Sequence, residues 1–194
     1  MELVSRIKSI LVSPKTEWQT IEAENAPHAK VFTSYVVPLA IIPAVAAFIG
    51  YGLIGYSVLG HHVSSVSWGF RQAIVQYAAM LGGTYITAFV INALAENFGT
   101  RKDFDRAFSL VAYAYTPMFA GGVFYLLPSL SWLASLAGLY GLYLLYIGLQ
   151  PMMKAPADKQ TSYFVVSLIV TIVVSALLSF VLAAMLLKST YFGF

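Results

Sequence analysis

The charged residues of this chain fall in bands, and the stretches between the bands constrain its fold more than any other feature. Asp, Glu, Lys and Arg are all absent from residues 31–70, 72–95, 107–153 and 160–187. A helix needs about 20 apolar residues to cross the roughly 30 Å of hydrocarbon in a bilayer. The third stretch is long enough for two crossings, and Pro128 divides it where one helix can end and the next can begin. The sequence therefore predicts five membrane-spanning helices, near residues 34–57, 73–95, 107–127, 130–150 and 163–187.

Composition agrees with a membrane protein. Of the 194 residues, 59% are hydrophobic and 10% are charged, whereas a soluble domain has about 25% charged residues. Cysteine is absent, which excludes disulfides, thiol catalysis and cysteine metal ligands. We expect an all-α fold, an integral membrane five-helix bundle in which residues 1–30 form a cytoplasmic amphipathic segment and residues 31–194 form the transmembrane domain.

Lysine and arginine are distributed unequally between the two ends of these helices. With the N-terminus inside, nine basic residues lie on the inner side: Arg6, Lys8, Lys15, Lys30, Arg101, Lys102, Arg106, Lys154 and Lys159. Two lie on the outer side, Arg71 and Lys188. Because cytoplasmic loops carry the excess of basic residues, we expect the N-terminus inside and the C-terminus outside.

The N-terminal segment has apolar residues at helical spacing, which are Leu3, Val4, Ile7, Ile10 and Leu11. This pattern predicts an amphipathic helix at the membrane surface. Ser13 and Pro14 are typical of the start of a second short helix, and we expect Trp18 and Ile21 on that helix to face the membrane. The segment is interpreted as an anchor that sets the topology, with a docking surface for a partner as the alternative.

Small and polar residues form regular stripes on two of the predicted spans. In the fifth span, Ser167, Thr171, Ser175 and Ser179 recur every four residues, and in the fourth span Gly138 and Gly141 share one side. Helices in lipid associate through close approach and interhelical hydrogen bonds, so such stripes indicate helix packing. A polar conduit along the fifth span is the alternative.

The third span contains an unusual cluster in the segment VAYAYTPMFAGG, residues 111–122. Pro117 cannot donate a hydrogen bond to the carbonyl of Tyr113, so we expect a kink that leaves this acceptor free. Thr116 and Tyr113 lie on the same side as the free carbonyl. The cluster is interpreted as a tightly packed kink, or alternatively as a small polar pocket that also involves Gln76 and Thr87 of the second span.

The residues that catalysis requires form no recognisable constellation. Ionisable side chains lie only at the ends of the predicted spans, which is unfavourable for ion-coupled transport. His61 and His62 are adjacent and point apart, so a shared metal is not expected without a third ligand. We therefore predict that the chain is not an enzyme and has no catalytic residue, metal or cofactor. Its expected partner is the lipid bilayer, and we do not expect it to bind nucleic acid.

Three segments in order along the chain carry a family resemblance. They read SPKTEWQTI at 13–21, DFDRAFSLVAYAYTPMFAGGVFYLLP at 103–128 and LYGLYLLYIGLQPM at 139–152. This set resembles the Yip (Ypt-interacting protein) domain family, and its bacterial inner-membrane branch in particular. The resemblance places the Tyr-x-x-x-Pro element of the family on Tyr113 and Pro117, and its Tyr-x-Gly-Leu ending on Tyr146, Gly148 and Leu149.

The resemblance implies a five-span protein of the bacterial inner membrane with a cytoplasmic N-terminus. Eukaryotic members act in vesicle traffic and contact Rab-type GTPases. This chain lacks their long N-terminal region and their Asp-Leu-Tyr-Gly-Pro motif, so a Rab-related role is not expected. We predict a non-enzymatic scaffold or adaptor of the Yip-domain type, which acts as a homo-oligomer or with a membrane-protein partner. The alternative is a small transporter or channel with a polar path between the second and third spans.

Overall fold

The computed structural model describes residues 3–58 and 61–192, and it describes side chains as far as residue 178, apart from those of residues 58, 61 and 62. Five helices are long and apolar enough to cross a membrane: the first span His28–Ile54, the second Val66–Phe98, the third Phe104–Leu126, the fourth Trp132–Met153 and the fifth Gln160–Leu178. The fifth belongs to a helix that continues to Phe192. The predicted all-α membrane bundle with five spans is confirmed. The first and second helices begin earlier than predicted, at His28 and Val66, because their polar first turns do not interrupt the helix.

A short β-hairpin connects the first two spans, and the sequence pattern did not indicate it. Strand β1, Tyr56–Val58, pairs in antiparallel fashion with β2, His61–Val63. Gly55 precedes β1 with a φ of 76°, a conformation that glycine adopts without strain and that ends the first span. The hairpin lies at the end of the bundle opposite the N-terminal segment.

Two short helices precede the first span, α1 at Leu3–Val12 and α2 at Pro14–Glu24. We refer to them as the N-terminal helix pair. Pro14 occupies the first turn of α2, as predicted, because its missing N–H needs no partner there. Asn25 then adopts a left-handed conformation with a φ of 41° and ends the helix.

The expectation that Trp18 and Ile21 face the membrane was wrong. Trp18 is 1% exposed and Ile21 is 3% exposed, because α2 packs against the bundle instead of lying on the lipid surface. The fourth span makes this packing possible at Gly148, where a Cβ atom would lie 2.6 Å from Cε2 of Trp18. The indole ring therefore occupies the space that any larger residue at position 148 would fill.

The third span is the centre of the bundle. Every residue from Ala107 to Ala114 is buried, and the first, second and fourth spans all pack against this helix. Glycines allow close approaches near its other end. A Cβ atom on Gly122 would lie 2.4 Å from that of Pro43 in the first span, and one on Gly121 would lie 2.5 Å from that of Ala137 in the fourth span.

The fifth span lies at the periphery and packs mainly on the second span. Tyr163 is buried and donates its hydroxyl hydrogen to the carbonyl of Ile91, at 2.5 Å. Tyr163 also stacks on Phe98, with ring centroids 4.9 Å apart. Large apolar side chains, among them Ile169, Ile172 and Leu177, are exposed on this span.

The connections at one end of the bundle meet the N-terminal helix pair. Lys154, just after the fourth span, donates to the carboxylate of Glu22 in α2 at 2.8 Å, and Arg106 of the third span donates to the same carboxylate at 3.1 Å. The hydroxyl of Thr100 donates to the carbonyl of Met153. We call this end the basic end, since it gathers the lysines and arginines that the sequence assigned to the inner side.

Candidate functional site

The third span breaks at Tyr115. The helix Phe104–Ala114 ends before it and the helix Thr116–Gly121 begins after it. Pro117 causes the break because it has no N–H to donate to the carbonyl of Tyr113. The hydroxyl of Thr116 donates to that carbonyl at 2.6 Å and replaces the missing backbone bond. The helix is therefore interrupted next to Pro117, where the sequence predicts a kink, but the carbonyl of Tyr113 is bonded to Thr116 instead of free.

The break positions the side chains of Thr116 and Tyr113 toward Tyr35 of the first span. The hydroxyls of Thr116 and Tyr35 are hydrogen-bonded at 2.7 Å, and both residues are buried. The ring of Tyr113 packs against the ring of Tyr35, with centroids 4.6 Å apart. Tyr113 thus faces the first span, whereas the sequence had suggested neighbours on the second.

The second span meets a different tyrosine. Thr87 is hydrogen-bonded to the hydroxyl of Tyr115 at 2.8 Å, on the other side of the break. Gln76 is half-buried and lies eleven residues before Thr87, which is roughly 16 Å along the helix. The structure therefore brings Tyr113, Thr116 and Pro117 together. Thr87 instead contacts the neighbouring Tyr115, and Gln76 contacts neither group.

An arginine from the N-terminal helix pair completes the cluster around Tyr113. Arg6 is 4% exposed, and its guanidinium carbon lies 5.5 Å from the centroid of the Tyr113 ring. The guanidinium also donates to the carboxylates of Glu17 and Glu24 in α2, and Glu17 is 6% exposed. We call Arg6, Glu17, Glu24 and Tyr113 the Arg6 cluster. A cavity of about 140 Å³ adjoins it, lined also by Lys30 and Tyr35.

Arg6 keeps its charge in spite of burial. Burial lowers the pKa of Arg6, but the hydrogen bond to Glu24 and the nearby charges outweigh this effect, so the pKa is raised above its usual value. A charge removed from water is tolerated only when it is paired and hydrogen-bonded. The cluster therefore joins α1, α2 and the third span through one guanidinium.

Sequence reasoning missed this cluster, although a signal was present. Leu3, Arg6 and Ile10 are spaced as i, i+3 and i+7, so Arg6 lies on the buried face of α1 rather than between its apolar residues. A charge on the apolar face of an amphipathic helix indicates a buried partner. The identity of that partner depends on α2 and the third span, which helical spacing in α1 does not reveal.

The family-motif residues of the fourth span connect it to three other elements. The carbonyl of Tyr146 accepts from the side-chain amide of Gln160 at 2.8 Å, and its hydroxyl lies 3.2 Å from that of Thr161. A Cβ atom on Gly148 would lie within 2.7 Å of Leu110 in the third span as well as against Trp18. Leu149 is fully buried.

The predicted packing residues occupy contrasting surroundings. A Cβ atom on Gly141 would lie 3.0 Å from the carbonyl of Ala114, whereas one on Gly138 would have nothing within 4 Å. Ser167 is buried and Ser175 is half-buried. The hydroxyls of Ser167 and Thr171 are buried with no hydrogen-bond partner in the described part of the chain. The side chain of Ser179 lies outside the described residues.

The three segments of the sequence resemblance meet at one point. Trp18 from the first segment and Leu110 from the second both pack against Gly148 from the third. A model of the Yip1 domain family matches residues 8–187. The chain belongs to the Yip1 domain family.

Relatives of this Yip1-domain protein agree with that assignment. It is similar to the inner membrane protein YohC of Escherichia coli strain K12, with 31% identity over 134 residues, which is 68% of each chain. The YohC protein of Escherichia coli O6:H1 matches to the same extent. No solved structure matches the chain. The Yip1-domain protein is thus a multi-pass protein of the inner membrane.

Proposed function

We propose that this Yip1-domain protein is a non-enzymatic membrane scaffold or adaptor that presents its N-terminal helix pair to a membrane-protein partner. The Arg6 cluster is the observation that carries the proposal. A buried guanidinium that bridges two carboxylates and a tyrosine ring holds the helix pair in one position on the bundle. Because a partner that binds an ordered surface does not need to order it on binding, such a surface is suited to recognition.

The presented surface is the side of α2 that faces away from the bundle. Thr16, Thr20 and Ala23 lie on it and are exposed, and they fall within about 60° of one another at 100° per residue. Trp18 and Ile21 on the opposite side of α2 are buried. The helix therefore has one face bound to the fourth span and one face free for a second protein.

The proposed orientation puts the N-terminal helix pair on the cytoplasmic side of the bundle. Its support is the unequal distribution of lysine and arginine between the two ends of the spans. A reporter that is active only in the periplasm is expected to work when fused after Phe194 and to fail when fused after Ala157. Activity in the reverse pattern would place the helix pair outside and would contradict the proposal.

Site-specific photo-crosslinking in native membranes tests the adaptor function. A photoreactive residue at Thr20 is expected to capture one discrete membrane protein, and the same residue at the exposed Leu139 of the fourth span is the control and should capture none. Replacing Arg6 by Gln should abolish the Thr20 adduct while the protein stays in the membrane. If the adduct keeps its full yield in that variant, a fixed helix pair is not required.

The transporter alternative needs a polar path between the second and third spans. At that interface Thr87 and Tyr115 are hydrogen-bonded to each other, and Thr84 donates to the carbonyl of Met80 at 2.8 Å. These hydroxyls are already paired, which leaves fewer polar groups for a permeating solute. The test is solute flux into liposomes that contain the purified protein. Flux that is abolished by the substitution Thr87→Leu would favour transport over the adaptor function.

A further inference from the structure

A groove runs along the junction of α2 with the fourth and fifth spans. It has a volume of about 510 Å³. We call it the lysine groove after its two cationic residues; its polar lining is formed by Lys15, Gln19, Gln150, Lys154 and Gln160. Apolar walls come from Trp18, Ile147 and Pro151. Among the described residues that line it, none is acidic, so the groove combines hydrogen-bond donors, positive charge and apolar surface.

The lysine groove reaches to membrane depth because α2 runs beside the fourth span. Trp18 packs on Gly148, and Glu22 binds Lys154. At the other end of α2, Lys15 borders a surface cavity together with Tyr143. Tyr143 lies ten residues before Met153, the last residue of the span, and ten residues correspond to roughly 15 Å of helix.

That depth requires a polar environment for Lys15. The backbone of Lys15 is level with the middle of the fourth span, and its side chain is exposed. A lysine in this position extends its ammonium group along the groove toward the membrane surface, with its methylene stem on apolar residues. The ammonium then needs an anion among the polar residues that line the groove.

The charges around the groove leave Lys15 unbalanced. Lys154 and Arg106 share the carboxylate of Glu22, and Nε of Arg106 also lies 3.3 Å from Asp103. These two cations and two anions balance one another. Lys15 has no carboxylate within ion-pairing distance among the described side chains. The indole Nε1–H of Trp18, which is buried at the wall of the groove, also has no acceptor there.

We infer that the lysine groove binds the phosphate group of an anionic phospholipid from the leaflet at the basic end. The ammonium of Lys15 and the amides of Gln19 and Gln150 supply donors for phosphate oxygens, and the apolar walls take the start of the acyl chains. A zwitterionic lipid brings its own cation and offsets this attraction. A free phosphate ion lacks the chains that the apolar walls would cover.

Native mass spectrometry with retained lipids tests the inference on the full chain. The protein is equilibrated with mixed micelles of phosphatidylglycerol and phosphatidylethanolamine, and the bound lipids are counted. One phosphatidylglycerol is expected to be retained in preference to phosphatidylethanolamine. A single lysine near a membrane surface contributes about 1 kcal/mol toward anionic lipid, so Lys15→Gln is expected to lower this retention about fivefold.

The matched control is Lys8→Gln, which removes the same charge from an exposed lysine on α1 outside the groove. It is expected to change retention less than about twofold. Equal losses in the two variants would overturn the inference, since they would mean a general effect of net charge. Equal retention of the two lipids by the unaltered protein would overturn it as well.

Two further measurements identify the source of the phosphate and the position of the lipid. Inorganic phosphate in millimolar excess should not displace the retained lipid, and displacement would assign the groove to a free anion instead. A photoreactive phosphatidylglycerol should crosslink to peptides that contain residues 14–22 or 147–160. Crosslinks spread evenly over all five spans would mean ordinary annular lipid and would also overturn the inference.

Discussion

The third and fifth spans have similar lengths of apolar sequence but opposite roles in the bundle. Every residue from Ala107 to Ala114 is buried in the third span, whereas the fifth span exposes Ile169, Ile172 and Leu177. The third span is also interrupted by Pro117 and approached through Gly121 and Gly122. Residues that weaken an isolated helix thus lie in the span that has the most neighbours, because those neighbours supply the contacts and hydrogen bonds that the helix loses.

Polar side chains differ between the two spans in the same way. Thr116 in the third span is bonded to the hydroxyl of Tyr35 and to the carbonyl of Tyr113. The hydroxyl oxygens of Ser167 and Thr171 in the fifth span are buried without hydrogen-bond partners among the described residues. In the third span a hydroxyl satisfies an interrupted backbone, and we propose that in the fifth span the hydroxyl residues provide a small surface for packing.

The largest expected effect comes from removing the charge of Arg6, the α1 residue that packs on Tyr113 of the third span. Arg6→Ala leaves Glu17 buried without its partner, which should lower the free energy of unfolding by about 4 kcal/mol. Unfolding in bicelles measures this loss. The double variant Arg6→Met with Glu17→Gln should recover more than half of it, because no buried charge then remains unpaired. A small loss in Arg6→Ala would mean that water reaches the cluster.

A glycine exchange tests the close approach to the third span. Gly122→Val introduces a Cβ atom at 2.4 Å from that of Pro43, and the overpacking should lower the free energy of unfolding by about 3 kcal/mol. Gly138→Val is the matched control, since a Cβ atom at that position has nothing within 4 Å. Similar losses in the two variants would show that glycine acts through something other than close contact.

An isosteric exchange compares the hydroxyls of the two spans directly. Thr116→Val leaves the carbonyl of Tyr113 and the hydroxyl of Tyr35 without this partner, at an expected loss of about 2 kcal/mol in the free energy of unfolding. Thr171→Val should change it by less than about 0.5 kcal/mol. Thermal unfolding in the same detergent measures both. A large loss in Thr171→Val would reveal a hydroxyl partner in the fifth span and would remove the contrast.

The smallest effect concerns the exposed rim of the basic end. Hydrogen bonds from Lys154 and then from Arg106 lower the pKa of Glu22 below its usual range. The folded state therefore binds the proton of Glu22 less readily than the unfolded state does. The stability that this pairing contributes is present above the usual carboxyl range and is lost as the pH falls toward the lowered pKa.

The difference in melting temperature between the unaltered protein and Glu22→Gln measures this contribution as a function of pH. It should be constant near neutral pH and shrink below about pH 5. A difference that does not depend on pH would indicate that Glu22 contributes through packing alone. In that case only the buried charges of the Arg6 cluster, and not the ion pairs of Glu22, would contribute electrostatically to stability.

The parts of the fold that could be predicted depend on short stretches of sequence. The break at Pro117 follows from a single missing N–H, and the start of α2 follows from Pro14. The partners of Tyr113 could not be predicted in this way. Tyr35 precedes it by 78 residues, and helical spacing within the third span indicates the direction of a face but not which neighbour meets it.

The number of spans was determined by the sequence alone, because the cost of moving charge into hydrocarbon applies to each segment independently of its neighbours. The position of the N-terminal helix pair was decided only by the tertiary structure. Its amphipathic pattern is compatible with a lipid surface as well as with a protein surface. Trp18 lies on the bundle because Gly148 leaves room for the indole, and Arg6 is buried because Glu17, Glu24 and Tyr113 together compensate its charge.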